Sequence, residues 1–119
     1  MLIATALAGL VACSSHSAKP RGAATAQAAA QRFTAAVNAG NGPDATAISC
    51  TGFTAQARQA ATTGADPGIH FALGAVQVTG TGATAALVEN LDVGGFKQSM
   101  NFTLTLAKKS GLWLVCGRR

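Results

Sequence analysis

The feature that most constrains this chain lies in its second half. After Pro67 the pattern has period two, in four runs spanning residues 69 to 79, 83 to 93, 96 to 107 and 112 to 117. Alternation of this kind sends successive side chains to opposite faces of a pleated strand. The gaps between the runs are two to four residues long and rich in glycine, so consecutive runs pair as antiparallel hairpins. The third run is the cleanest: Phe96, Met100, Phe102, Leu104 and Leu106 share one face, and Lys97, Ser99, Asn101, Thr103 and Thr105 share the other. With Gly94-Gly95 as a two-residue turn, Val93 lies opposite Phe96, Asp92 opposite Lys97, Glu89 opposite Met100 and Leu87 opposite Phe102. Apolar and charged partners both match in that register, with one face expected to be core and the other wet.

The first half reads differently. Ala26, Ala29, Ala30, Phe33, Ala36 and Val37 recur at helical spacing within residues 23 to 39, and alanine is the strongest helix former. Gly40 ends that helix, and Asn41-Gly42-Pro43-Asp44 restarts a shorter one through about Cys50. Thr54 to Ala61 forms a third piece that stops near Gly64. The expectation is therefore an α+β fold in which N-terminal helices pack on the apolar face of a curved four-stranded antiparallel sheet. At 119 residues, with 49% hydrophobic and 11% charged residues, the chain holds one domain and has enough apolar content to fold.

The amino terminus carries a location signal. Leu2 to Ala12 is an apolar run about half as long as the ~20 residues a membrane-spanning helix needs, which suits the apolar region of a secretory signal. Leu10-Val11-Ala12-Cys13 resembles a lipobox, and that resemblance implies diacylglycerol on the Cys13 sulfur and cleavage after residue 12. The run begins directly after Met1 without the usual basic segment, which leaves open a start upstream. Residues 14 to 22 are small, polar and lightly basic, the composition of a tether, with His16 a solvated residue within it. The expected organisation is residues 1–12 as signal, 13–22 as lipidated cysteine and tether, and 23–119 as a single domain at the extracytoplasmic face of the cell membrane.

Assigning Cys13 to lipid leaves Cys50 and Cys116 in a chain that has left the reducing cytosol, and a disulfide between them is expected. Two buried free thiols or a reactive cysteine are the alternatives, although neither residue sits in a C-x-x-C or beside a histidine. The net charge of +5 is scattered, with only Lys108-Lys109 and Arg118-Arg119 adjacent. Aromatic content is 5% with no tyrosine, so no nucleic-acid partner is expected.

Phe33-Thr34-Ala35-Ala36-Val37-Asn38-Ala39-Gly40, a second helix carrying Cys50, strands split by Thr-Gly turns and Gly111-Leu112-Trp113-Leu114-Val115-Cys116 together resemble a known family. It comprises small actinobacterial, mycobacterial-type exported proteins with a cystatin-like cone of the nuclear-transport-factor-two-like superfamily. The resemblance covers residues 23 to 117 and implies a hollow between sheet and helices able to hold a small ligand. Enzymes on this cone, such as ketosteroid isomerases and polyketide cyclases, place an aspartate or histidine inside it and often add a tyrosine, which this chain lacks.

Glu89 shares the inward parity of Ala85, Leu87, Leu91 and Val93, with Gln98 diagonally across the hairpin, so Glu89, Gln98, Met100 and Phe102 form the expected pocket. A carboxylate removed from water there could act as a general acid or base; a solvated rim position, or a bulge that turns it outward, is the simpler expectation. His70 shares Glu89's face if Gly80-Thr81 is a plain two-residue turn. A bulge at Gly74 instead turns Ile69, Phe71 and Leu73 inward and leaves His70 exposed, and this option buries more apolar area. Trp113 alternates away from Leu112, Leu114 and Cys116, which places it under the first helix or over the sheet's open face. No residue pattern for a metal, a cofactor, a phosphate loop or a nucleophilic triad is present. The favoured expectation is a non-catalytic envelope lipoprotein that binds a small apolar ligand or an envelope protein. The alternatives are a cone enzyme using Glu89, with or without His70, and an accessory subunit of an envelope complex.

Overall fold

The computed structural model describes residues 20–119; the expected signal, Cys13 and most of the expected tether lie outside them. Among the described residues three α-helices and a short 3-10 helix (Thr51–Phe53) precede four strands: α1 (Ala26–Asn38), α2 (Gly42–Ala47) and α3 (Thr54–Gly64), then β1 (Ile69–Thr79), β2 (Gly82–Val93), β3 (Phe96–Lys109) and β4 (Leu112–Arg118). The strands form one antiparallel sheet in the order β1-β2-β3-β4, and the helices cover one of its faces, the α+β cone expected from the sequence. Every hairpin turns in two residues. Both residues are left-handed at Gly94-Gly95 and at Ser110-Gly111, the geometry that matches strand twist.

Helix α1 begins at Thr25, whose hydroxyl accepts from the Ala28 N–H, so residues 23 and 24 stand outside it. Its buried apolar residues are Ala26, Ala29, Ala30, Phe33, Ala36 and Val37, the set read from the spacing, and Thr34 is buried beside them. Small residues let the helices approach closely. A Cβ on Gly64, at the end of α3, would overlap the Val37 carbonyl of α1. Phe33 and Phe53 pack ring to ring at 6.1 Å, and Ile48, Leu104 and Val115 complete the interior beneath them.

Helix α2 stops at Ala47 rather than near Cys50. The reason is tertiary: Ser49 bridges to Val115 in parallel beside β4, the Val115 N–H donating to the Ile48 carbonyl (2.9 Å) and the Cys50 N–H to the Val115 carbonyl (2.8 Å). Further along the same edge Ala23 exchanges two backbone hydrogen bonds with Trp113. An otherwise open strand edge is thereby covered. The ordered domain also begins before residue 23. Arg32 donates to the Pro20 carbonyl (2.6 Å) and the Gly22 carbonyl (3.2 Å) while its guanidinium pairs with the buried Asp44 carboxylate at 2.8 Å, and Arg21 donates to the Ser49 carbonyl. The last three residues of the expected tether thus belong to the fold.

The β2–β3 register is the expected one at every position, including Glu89 opposite Met100. Between β1 and β2 the pairing shifts between Leu73 and Val76, a bulge in which Gly74 and Ala75 face Ala86 alone. It turns Phe71 inward, buried to 3%, and leaves His70 exposed. On the far edge of β1, the Asn38 side chain accepts from the Phe71 N–H and donates to the Phe71 carbonyl, both at 2.8 Å, so α1 is fastened to the strand by an amide that pairs like a short strand. Trp113 points under α1 and is 5% exposed, the first of its two expected placements.

Candidate functional site

The inward face of the sheet is read most simply as rows of side chains crossing it. Ala85 and Leu104 are fully buried; one row further out lie Leu73, Leu87 and Phe102, then Phe71, Glu89 and Met100, then Ile69, Leu91 and Gln98, and finally Val93 and Phe96. Along β2 and β3 exposure rises outward until Phe96 is 60% and Val93 54% exposed. The expectation that one whole face of β3 is core therefore holds only from Phe102 onward. The helices end before the hairpin does, and the distal rows of the apolar face stand open.

Glu89 sits in the row where the dry interior gives way to solvent. Its neighbours across the sheet are buried Phe71 and exposed Met100. Helix α3 closes the other side with Gln56, Gln59, Ala60 and Thr63, which share one helical face, and together they bound a hollow of about 320 Å³. Glu89, Met100 and Phe102, three of the four expected pocket residues, line it. Gln98 does not: it lies one row further out and is exposed. Glu89 is half-buried at the rim of the hollow, and among the described residues its carboxylate makes no hydrogen bond or ion pair.

Arg118 is the charged residue of the hollow that sequence reasoning missed, along with Phe71 and the α3 wall. Its guanidinium lies over the Phe102 ring at 4.6 Å, within range of a cation–π attraction, and forms part of the wall. Counting back from the Ser110-Gly111 turn would set Arg118 on the outer face. An extra residue, Cys116, sits between the Leu106–Val115 and Thr105–Gly117 pairs, and this bulge brings Arg118 opposite Leu104 on the inward face. No alternation in the short β4 segment signals that shift.

Cys50 and Cys116 are bonded to each other, with Cα atoms 4.8 Å apart. The bond ties the extended segment after α2 to the β4 bulge, and so holds both the covered edge and the strand end that carries Arg118. His70 lies on the opposite face of the sheet from Glu89, so the two cannot act on one substrate atom. Among the described residues, no group of three or more histidine, cysteine, aspartate or glutamate side chains is placed to hold a metal ion, and no helix is long and apolar enough to cross a membrane.

No family model matches the sequence, and a search of the curated proteins finds no relative. Solved structures do resemble the fold. The protein named Rd1NTF2_04 with long sheet aligns with a TM-score of 0.67 at 12% identity over 76% of this chain and 94% of its own. RPA3114, a SEC-C motif containing protein from Rhodopseudomonas palustris, aligns at 0.66 and 14% identity over 83% and 80%. An NTF-2 like protein of unknown function from Shewanella oneidensis MR-1 aligns at 0.54 and 12% identity over 75% and 89%. The chain thus has an NTF2-like cone fold, and at these identities the likeness concerns the fold alone.

Proposed function

We propose that this protein is a non-catalytic binding module of the cell envelope, anchored by lipid on Cys13 to the extracytoplasmic face of the membrane, and that the mouth of its cone holds a small molecule. The observation that carries the reading is the composition of the hollow. Phe71, Met100, Phe102 and Ala60 offer an apolar bed, while Glu89, Arg118 and the two glutamines stand at its rim with polar groups to orient a ligand. A ligand with an apolar body, an amine or hydroxyl for Glu89 and an acceptor for Arg118 fits that arrangement. The exposed Val93 and Phe96 prolong the bed outward and would serve equally for the side chain of an envelope protein.

Glu89 keeps a second reading in view, because a carboxylate without a protein partner beside a hollow has the placement of a general base. It lacks an orienting group and an oxyanion donor of the tyrosine kind, which favours binding over turnover.

The experiment is native mass spectrometry of the protein extracted from its own envelope in a neutral detergent. The expected result is a chain that starts at Cys13, carries acyl groups and retains a small molecule released on denaturation. Met100→Trp, which fills the mouth, should lose that molecule with its fold intact. An unmodified chain from Met1 with an empty hollow would overturn both parts of the proposal. Chemical conversion of the retained molecule that stops in Glu89→Gln would replace the binding reading with the enzymatic one.

A further inference from the structure

We propose that the opposite face of the sheet carries a second binding site, one for an anionic amphiphile: a phosphate or carboxylate head on an alkyl chain. Trp113 and Val115 point toward the helices, so Leu112 and Leu114 point away, and with Ala107 across the hairpin they form an apolar floor on the outer face. The segment after α2 rises beside this floor, and the Cys50–Cys116 bond, Thr51 and Gly52 make a wall. The resulting hollow is about 600 Å³, larger than the cone mouth.

Its depth and its rim differ in character. Leu114 is 6% exposed and Cys50 9%, whereas Arg21, Lys109, Ser110 and Thr51 are exposed around the opening. Among the described residues, both charged residues at that opening are cations. The chain's four acids lie elsewhere: Asp44 is paired with Arg32, Asp66 is in the turn before β1, Glu89 is in the cone mouth, and Asp92 lies beside Lys97. A neutral or cationic amphiphile would leave Arg21 and Lys109 without a counter-charge. An inorganic anion would leave the leucine floor wet, and Leu112 is 41% exposed as it stands. A ligand with both parts uses the whole hollow, its chain along Leu112 and Leu114 and its head at the cationic rim.

Isothermal titration of the full chain carrying Cys13→Ala, which can bear no acyl group, tests this with monomeric decyl phosphate and decanoate. Saturable binding of one molecule per chain is expected for at least one of them, and the tighter of the two identifies the head group as phosphate or carboxylate. Arg21→Gln with Lys109→Gln should weaken it at least about tenfold. Lys109→Glu alone, which leaves the Arg21–Ser49 contact in place, should weaken it too, while Met100→Trp in the cone mouth should not. The proposal is overturned if neither anion binds, if decyltrimethylammonium binds as tightly, if inorganic phosphate alone binds as tightly, or if the double variant is unchanged. Loss of binding in Met100→Trp with the double variant unaffected would assign the amphiphile to the cone mouth instead.

Discussion

Two positions decide how tightly the helices seat on this sheet. At Gly64 there is no room for a methyl group between α3 and the Val37 carbonyl, and backbone cannot yield as a side-chain tip can. Gly64→Ala should therefore destabilise the domain by about 2 kcal/mol or more, read as a lower urea midpoint with an unchanged slope. At Asn38 the amide occupies both free backbone groups of Phe71, so Asn38→Ala should cost about 1–2 kcal/mol. Hydrogen exchange checks the assignment: the Phe71 amide should lose protection while its neighbours in the β1–β2 ladder keep theirs. Neither role was legible in the sequence. Asn38 there is one residue near a helix end, and Gly64 reads as a helix stop, because both roles depend on what a second element brings alongside.

At the level of elements, the carboxyl-terminal strand depends on its ties. β4 is held on one side by β3 and on the other by Ala23 and by Ile48 to Cys50, and the Cys50–Cys116 bond closes a loop by joining residues 66 apart in sequence. Opening that loop should lower stability by about 4 kcal/mol on the chain-entropy account, seen as a shift in urea midpoint between oxidised and reduced protein. The amino-terminal tie is held by Arg32, which joins Asp44 to the carbonyls of Pro20 and Gly22. Asp44→Ala leaves a partly buried guanidinium without its carboxylate, and a loss of about 3 kcal/mol is expected, with faster proteolysis at residues 20–22. The sequence showed these strands and their turns well. The Gly94-Gly95 turn and matched side chains were enough for the β2–β3 register, and the gain in buried area was enough to expect the bulge at Gly74. The bulge at Cys116 was invisible, since β4 is too short for a skipped residue to break a pattern.

For the whole molecule, the relative lengths of the two layers govern what is available for binding. The helix layer thins out beyond the Phe71–Glu89–Met100 row, so the cone opens there rather than closing over Glu89. The hollow should accept ligands without a large opening motion, and filling it with a larger side chain should leave stability nearly unchanged. Met100→Trp is expected to stay within about 0.5 kcal/mol of the parent by thermal unfolding, as suits an exposed site. The two hollows lie on opposite faces of one sheet, and their occupants should bind independently when both are titrated together.

By itself the sequence determined what depends on neighbours along the chain: the helical spacing of the alanines, the period of the strands, the hairpin turns, and with them the α+β class and the inward parity of Glu89. Local sterics and side-chain alternation suffice for these, because each is set within a few residues. Only the tertiary structure decided where the helix layer ends, that residues 20–22 are seated in the domain, that Arg118 faces inward over Phe102, and that a cationic rim surrounds a leucine floor on the outer face. Each of these joins residues far apart in sequence, and their proximity is fixed by packing, which a one-dimensional pattern does not contain.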